Sequence, residues 1–166
     1  MHCPNSGQLG EDLVAQWLQS TGWIILHRRF SSRWGEIDII AEYDGQTGEK
    51  LLTPYSALST QHSLLAFVEV KTRSSGNWDA GGRSAITPQK QAKIWRTAGI
   101  FLAQYPEKAD YSCRFDVAIV YCQRISKNLT GVTANQEALA TSSVPGYKFK
   151  LQEYILAAFD FSIDNG

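Results

Sequence analysis

At 166 residues, with 43% hydrophobic and 19% charged residues, the chain has the size and balance of one soluble globular domain with a substantial core. Lys plus Arg and Asp plus Glu are equal in number, and the resulting formal net charge of zero argues against a whole-surface attraction to nucleic acid. The cysteines (Cys3, Cys113, Cys122) lack zinc-type spacing and no apolar run reaches membrane-spanning length, so reduced thiols, no zinc, no membrane partner and a cytoplasmic setting are expected.

Residues 6–21 are predicted to form a helix. Leu9, Leu13, Val14, Trp17 and Leu18 recur at helical spacing, Asn5 or Ser6 can cap the start, and Gly22 can cap the end. Glu11 and Asp12 fall in or near the first turn, where the helix dipole favours negative charge. The alternative for Glu11 is a side chain aimed at the strand cluster described below. Residues 23–30 read as a first strand with a basic end, where Arg28, Arg29 and Arg33 either contact phosphates or are simply solvated. His27 has no second histidine at ligand spacing and is not read as a metal ligand.

Residues 35–42 read as a second strand, with Ile37, Ile39 and Ala41 on one face and Glu36 and Asp38 on the other. Residues 44–63 are polar and aperiodic, a hairpin connection enlarged by an insertion. A third strand follows over 64–73, antiparallel to the second. The Gly- and Ser-rich stretch 74–85 is placed to close over a substrate, and its Trp78 either stacks on a base or anchors the loop to the core. Thr87-Pro88 opens a second helix that Pro106 ends, with Ile94, Trp95, Ala98, Phe101, Leu102 and Tyr105 as its apolar stripe. Gln89, Lys90, Lys93 and Arg96 lie off that stripe, on a face that is either solvated or suited to a phosphate backbone.

Residues 114–121 read as a fourth, buried strand, with Asp116 either a further ligand or a salt-bridge partner. Residues 125–145 are polar and turn-rich, 147–151 alternate as an edge strand, and Ile155, Leu156 and Phe159 suggest a short terminal helix. The order α-β-β-β-α-β-β-α describes one α/β domain.

The chemistry gathers in residues 67–73. Alternation places Val68, Val70 and Thr72 on one side and Phe67, Glu69, Lys71 and Arg73 on the other. Pairing with the second strand brings Glu36, Asp38, Glu69 and Lys71 to one small area. Carboxylates at close range need a compensating cation, and an oxygen-only set selects Mg²⁺ or Mn²⁺ over zinc. With Lys71 to orient a metal-activated water or to stabilise charge on phosphorus, phosphodiester hydrolysis is the indicated reaction. The alternative is a structural ion-pair network on the sheet.

Gly35-Glu36-Ile37-Asp38-Ile39-Ile40-Ala41 followed by Phe67-Val68-Glu69-Val70-Lys71-Thr72-Arg73 resembles the YraN family of bacterial proteins. The similarity extends to Gly7-x-x-Gly10-Glu11-x-x-x-Ala15, to Lys90 with Ile94 and Ala98, to Arg114-Phe115-Asp116-Val117 and to residues 155–159. That resemblance implies a restriction-endonuclease-like fold of the PD-(D/E)xK superfamily, a central mixed β-sheet flanked by helices. It also implies Asp38, Glu69 and the Val70 carbonyl as metal ligands and Lys71 as the catalytic lysine, while Glu36 stands as an accessory acid on the strand pattern alone. The family is similar to archaeal Holliday-junction resolvases, whose helix-borne glutamate makes Glu11 an accessory ligand here. Ile37 stands where the superfamily signature has proline.

The expected function is therefore metal-dependent hydrolysis of DNA, with branched or recombination intermediates as substrates and a homodimer as the natural arrangement for cutting two strands. Its rival is a nucleic-acid-binding or scaffold protein that keeps the fold without turnover. A small-molecule phosphohydrolase would want a Gly-rich phosphate cradle, which the sequence lacks.

Overall fold

The computed structural model describes residues 3, 5–43, 63–74, 86–125 and 137–159. Helix α1 (Ser6–Ser20) leads into strands β1 (Ile24–Ser32), β2 (Gly35–Tyr43) and β3 (Leu64–Ser74). Helix α2 (Pro88–Gln104) and a 3-10 turn (Pro106–Lys108) precede β4 (Ser112–Arg124), β5 (Ala140–Val144) and β6 (Tyr147–Phe159). The strands form one mixed sheet in the order β1-β2-β3-β4-β6-β5, with only β3 and β4 parallel. A parallel pair needs a crossover, and α2 lies within that connection. The structure is thus a mixed α/β domain, with two helices and six strands among the described residues.

Local chemistry sets the helix ends. At the end of α1 the Gly22 N–H bonds Gln19 O at 3.2 Å and the Trp23 N–H bonds Leu18 O at 3.0 Å. This Schellman closure needs the left-handed φ of +96° that Gly22 adopts without strain. At the start of α2, Thr87 Oγ1 accepts the Lys90 N–H at 3.2 Å and Pro88 fills the first position, as expected. Asn5 occupies the N-cap of α1 with no side-chain capping bond.

Each face of the sheet buries one helix. Leu13, Val14 and Leu18 of α1 pack with Ile39, Ala41, Ala66, Val68, Ala118, Val120, Phe149 and Leu151. On the other face Ile94, Ala98 and Phe101 of α2 pack with Phe30, Ile37, Ile40, Leu65, Phe67 and Phe115. Trp95, expected in the apolar stripe, is exposed. Ile37 also departs from expectation: it joins the α2 cluster, not Ile39 and Ala41, so strict alternation in β2 breaks around Asp38.

The C-terminal third differs most. The expected terminal helix at 155–159 is the end of the thirteen-residue strand β6, where Phe159 stacks on Phe115 at 4.7 Å and Ile155 pairs with Val117. Register shifts against β4 and the left-handed φ of Ala157 interrupt the period of two, which left a spacing that mimics a helix. Nor is β6 the edge. That place belongs to β5, a short polar strand within the stretch expected to be only turns.

The cysteines are a further correction. Cys3 and Cys122 are joined by a disulfide because the fold sets both in the core beneath α1, leaving Cys113 as the free thiol. Among the described residues no helix is long and apolar enough to cross a membrane.

Candidate functional site

The β2–β3 ladder ends at the pair Ile39–Val68. One residue further on, Asp38 turns its carboxylate into the opening, and Oδ2 accepts the Val70 N–H at 2.7 Å. The side chain thereby replaces the backbone acceptor that a continuing ladder would supply. In an extended strand a residue's carbonyl points to the same side as its N–H, so the Val70 carbonyl also turns towards β2.

Glu69 and Lys71 project on the α2 face, in line with Leu65 and Phe67. Glu69 is only 7% exposed and its Oε1 takes two ammonium groups, Lys71 Nζ at 3.2 Å and Lys90 Nζ at 2.5 Å. Its carboxyl is also hydrogen-bonded to that of Asp38. Burial, followed by the charge of Glu69, pushes Asp38 up to about 7, against the lowering effect of the Val70 N–H. Near neutral pH Asp38 therefore holds a proton much of the time and donates it to Glu69.

The two lysines are driven apart. Burial and the hydrogen bond with Lys90 lower Lys71, opposed by the attraction of Glu69. Burial also lowers Lys90, but its hydrogen bonds to Glu69 and Lys71 outweigh that effect and leave it raised. Lys71 is the lysine better disposed to exchange a proton.

Glu11 approaches from the opposite face. It lies in the second turn of α1, too far in for the dipole role that its position in the sequence suggested. It is 8% exposed, and its Oε2 receives Arg29 Nε at 2.9 Å and Arg28 at 3.5 Å. Glu11 adds to the negative field at Asp38, but its carboxylate is occupied. Among the described residues no three His, Cys, Asp or Glu side chains assemble into a group that would hold a metal ion. The expected convergence of three or four carboxylates reduces to a contacting pair, Asp38 and Glu69.

The other nominated residues scatter. Glu36 is exposed and accepts the Ser31 hydroxyl at 2.9 Å. Arg28 binds Asp12 at 2.8 Å, Arg29 binds Glu11, and both belong to the α1 side. Arg73 lies at the end of β3, its Nε buried without a partner among the described residues. Arg33 and Lys93 are exposed, and Lys90 is engaged with Glu69. Trp78 and the 44–62 insertion lie outside the described residues. Asp116 is not a ligand: it is wholly buried and bound by Arg114 Nε at 2.9 Å and Tyr154 Oη at 2.7 Å. His27 packs edge-on against Phe30 at 5.2 Å.

The sequence reading did not find the attachment of Lys90 to Glu69, nor the grouping of Trp34 with Arg33 and Arg96. The available signals were the Thr87-Pro88 start, which puts Lys90 in the first turn of α2, and the two-residue span of Arg33 and Trp34 between Ser32 and Gly35.

Fold and site together define a mixed α/β protein with a buried carboxylate–lysine cluster where two strands of its sheet part. The chain belongs to the uncharacterised protein family UPF0102, whose profile matches residues 10–120, a span that holds Glu11, Asp38, Glu69, Lys71 and Lys90. This is the YraN-like family that the motifs resembled. A UPF0102 protein of Trichormus variabilis is 61% identical over 160 residues, covering 96% of this chain and 97% of its own length. One from a Nostoc species is 60% identical over 94% of each chain, and one from a Synechocystis species is 42% identical over 92% of this chain and 96% of its own.

Proposed function

We propose that the protein is a nuclease of restriction-endonuclease-like fold that hydrolyses phosphodiester bonds in DNA with Mg²⁺ or Mn²⁺ as cofactor, branched or recombination intermediates being the intended substrates. The observation that carries this reading is the contact of the Asp38 and Glu69 carboxyls beside Lys71, at a gap in the β2–β3 ladder. An Asp38 carboxyl whose proton is held by burial and by the adjacent Glu69 is poised to exchange that proton for a cation. Mg²⁺ keeps several waters and requires only one or two carboxylates, so Asp38, Glu69 and the Val70 carbonyl fit it without a third acid. Bound there, such an ion supplies polarisation of a phosphoryl oxygen and an acidified water. The protein's own part is to hold the ligands in place through the Val70 N–H. Lys71, kept low by burial, takes up or gives a proton beside the phosphate.

The test is Mn²⁺ binding by calorimetry to wild type and Asp38→Ala/Glu69→Ala, followed by incubation of both with duplex, single-stranded and four-way-junction DNA. Binding and cleavage by wild type alone support the reading. No binding at millimolar Mn²⁺, with or without DNA, overturns it. In that case a non-catalytic nucleic-acid-binding protein becomes the better reading, favoured by one observation: Glu69 and Glu11 already have cationic partners from the chain itself.

A further inference from the structure

The chain carries no net charge, yet its cations are not evenly neutralised. On the α1 side Arg28 and Arg29 are bound to Asp12 and Glu11. On the α2 side the exposed side chains of Arg33, Lys93 and Arg96 form no salt bridge among the described residues. These three are neighbours. Arg33 and Trp34 make the tight turn between β1 and β2, and a Cβ on the adjoining Gly35 would sit 3.9 Å from Lys93 Cβ. Ser32 Oγ and Thr97 Oγ1, 2.8 Å apart, fasten the turn to α2.

Trp34 organises the group. The Arg33 guanidinium lies 4.6 Å and that of Arg96 4.4 Å from its ring centroid. Stacking on the one indole gathers two guanidiniums at a single ring and limits their rotamers, so less entropy is lost when their edges meet a ligand. Planar forks of this kind suit phosphate oxygens. A ring already carrying two guanidiniums is poorly placed to stack on an unpaired base, which favours backbone contact over single-strand recognition. From Arg96 through Lys93 the row runs three residues at a time along α2 to Lys90, whose ammonium touches Glu69.

We infer that Arg33, Trp34, Lys93 and Arg96 form a phosphate-gripping platform that lays a nucleic-acid duplex along the α2 face and leads it to Asp38 and Glu69. The platform rests on the proposed nuclease reading for its purpose, but binding can be measured without turnover. Trp34 orders the guanidiniums and is a positioning residue. Arg28 and Arg29, held by their own carboxylates, lie off the track.

The experiment is fluorescence anisotropy in EDTA, with a labelled mixed-sequence duplex titrated at several salt concentrations. Wild type, Arg33→Ala/Arg96→Ala, Trp34→Leu and Arg28→Ala are compared, each checked for folding by circular dichroism. The double variant should bind at least tenfold more weakly at low salt, with a log K against log salt slope smaller by about two. Trp34→Leu should weaken binding without changing the slope, and Arg28→Ala should bind like wild type. Wild-type affinity and slope in the double variant would overturn the platform, as would equal losses from Arg28→Ala. Tighter binding to a single strand, or equal binding to polyglutamate or acidic vesicles, would overturn the choice of duplex. These outcomes are separate from the metal-binding result with Asp38→Ala/Glu69→Ala, so either idea can fail alone.

Discussion

Asp38 accepts the Val70 backbone N–H at 2.7 Å and by that one bond both ends the β2–β3 ladder and fixes its carboxyl against Glu69. An asparagine has the same shape and keeps an oxygen for the Val70 N–H, but carries no charge. Asp38→Asn should therefore fold with a melting temperature at pH 8 no lower than wild type, while calorimetry shows Mn²⁺ binding reduced at least tenfold. A large loss of stability, with metal binding retained, would mean that the carboxylate is structural.

The same carboxyl makes stability depend on pH. Unfolded Asp38 releases its proton near pH 4, whereas in the folded, metal-free protein it holds it to about 7. Between those values the folded state binds more protons than the unfolded one. Raising the pH through this window therefore costs stability, on the order of a few kcal/mol from this group. Denaturant melts in EDTA at pH 5 and pH 8 should show wild type less stable at the higher pH, and Asp38→Asn with most of that difference removed. A flat wild-type profile, or the same slope in both proteins, would refute the account. Bound Mn²⁺ should reverse the trend, since cation and proton compete for the same oxygens.

What was legible in the sequence was what local rules determine. Gly22 and Thr87-Pro88 placed helix ends because caps act within a few residues, and alternation put Glu69 and Lys71 on one strand face. Asp38 meeting Glu69 followed from a hairpin, a short-range inference. Lys90 on Glu69 did not, because it depends on a crossover helix folding back over the sheet. The dipole reading of Glu11 failed because α1 begins at Ser6 and sets that residue in its second turn, and its partners Arg28 and Arg29, which come from the next element, were not foreseen. In β6 the left-handed Ala157 and the shifted register hid the strand from any test of period two.

Lys71 and Lys90 share one oxygen of Glu69, which predicts different roles for them. Lys90 is the raised, more exposed cation and stands in for a metal on Glu69. Removing it as Lys90→Met should tighten Mn²⁺ binding several-fold while leaving substantial cleavage. Lys71→Met should leave metal binding at least as tight yet lower the cleavage rate by about 10²–10⁴-fold, the usual loss for a proton-transfer group. Calorimetry and single-turnover cleavage separate the two, and equal effects from both substitutions would contradict the division of labour.

Gly10 is where α1 crosses β3. A Cβ built there would overlap Thr72 Oγ1, a buried hydroxyl without a hydrogen-bond partner among the described residues. Gly10→Ala should thus cost about 1–3 kcal/mol in a denaturant melt despite the higher helix propensity of alanine. Thr72→Ala removes the overlapping oxygen, leaving the Cβ contact at 3.4 Å. The double variant Gly10→Ala/Thr72→Ala should recover most of the loss. Additive losses would place the strain elsewhere.

Asp116 anchors the far side of the sheet. It is wholly buried, its Oδ2 receives Arg114 Nε and Tyr154 Oη, and its Oδ1 receives the Ala157 N–H at 3.0 Å. That last bond helps hold Ala157 in its left-handed conformation, so the carboxylate shapes β6 as well as balancing charge. Asp116→Ala strips the half-buried Arg114 of its ion-pair partner and leaves the Ala157 N–H unbonded, and should cost about 3–5 kcal/mol. Tyr154→Phe removes one hydrogen bond and should cost about 1 kcal/mol. Burial and the adjacent charge of Asp116 also hold the Tyr154 hydroxyl well above its ordinary range. An alkaline titration should accordingly show, in wild type but not in Tyr154→Phe, one tyrosine that ionises only as the protein unfolds. If Tyr154 titrates normally and Asp116→Ala melts like wild type, the triad is not a support of the fold.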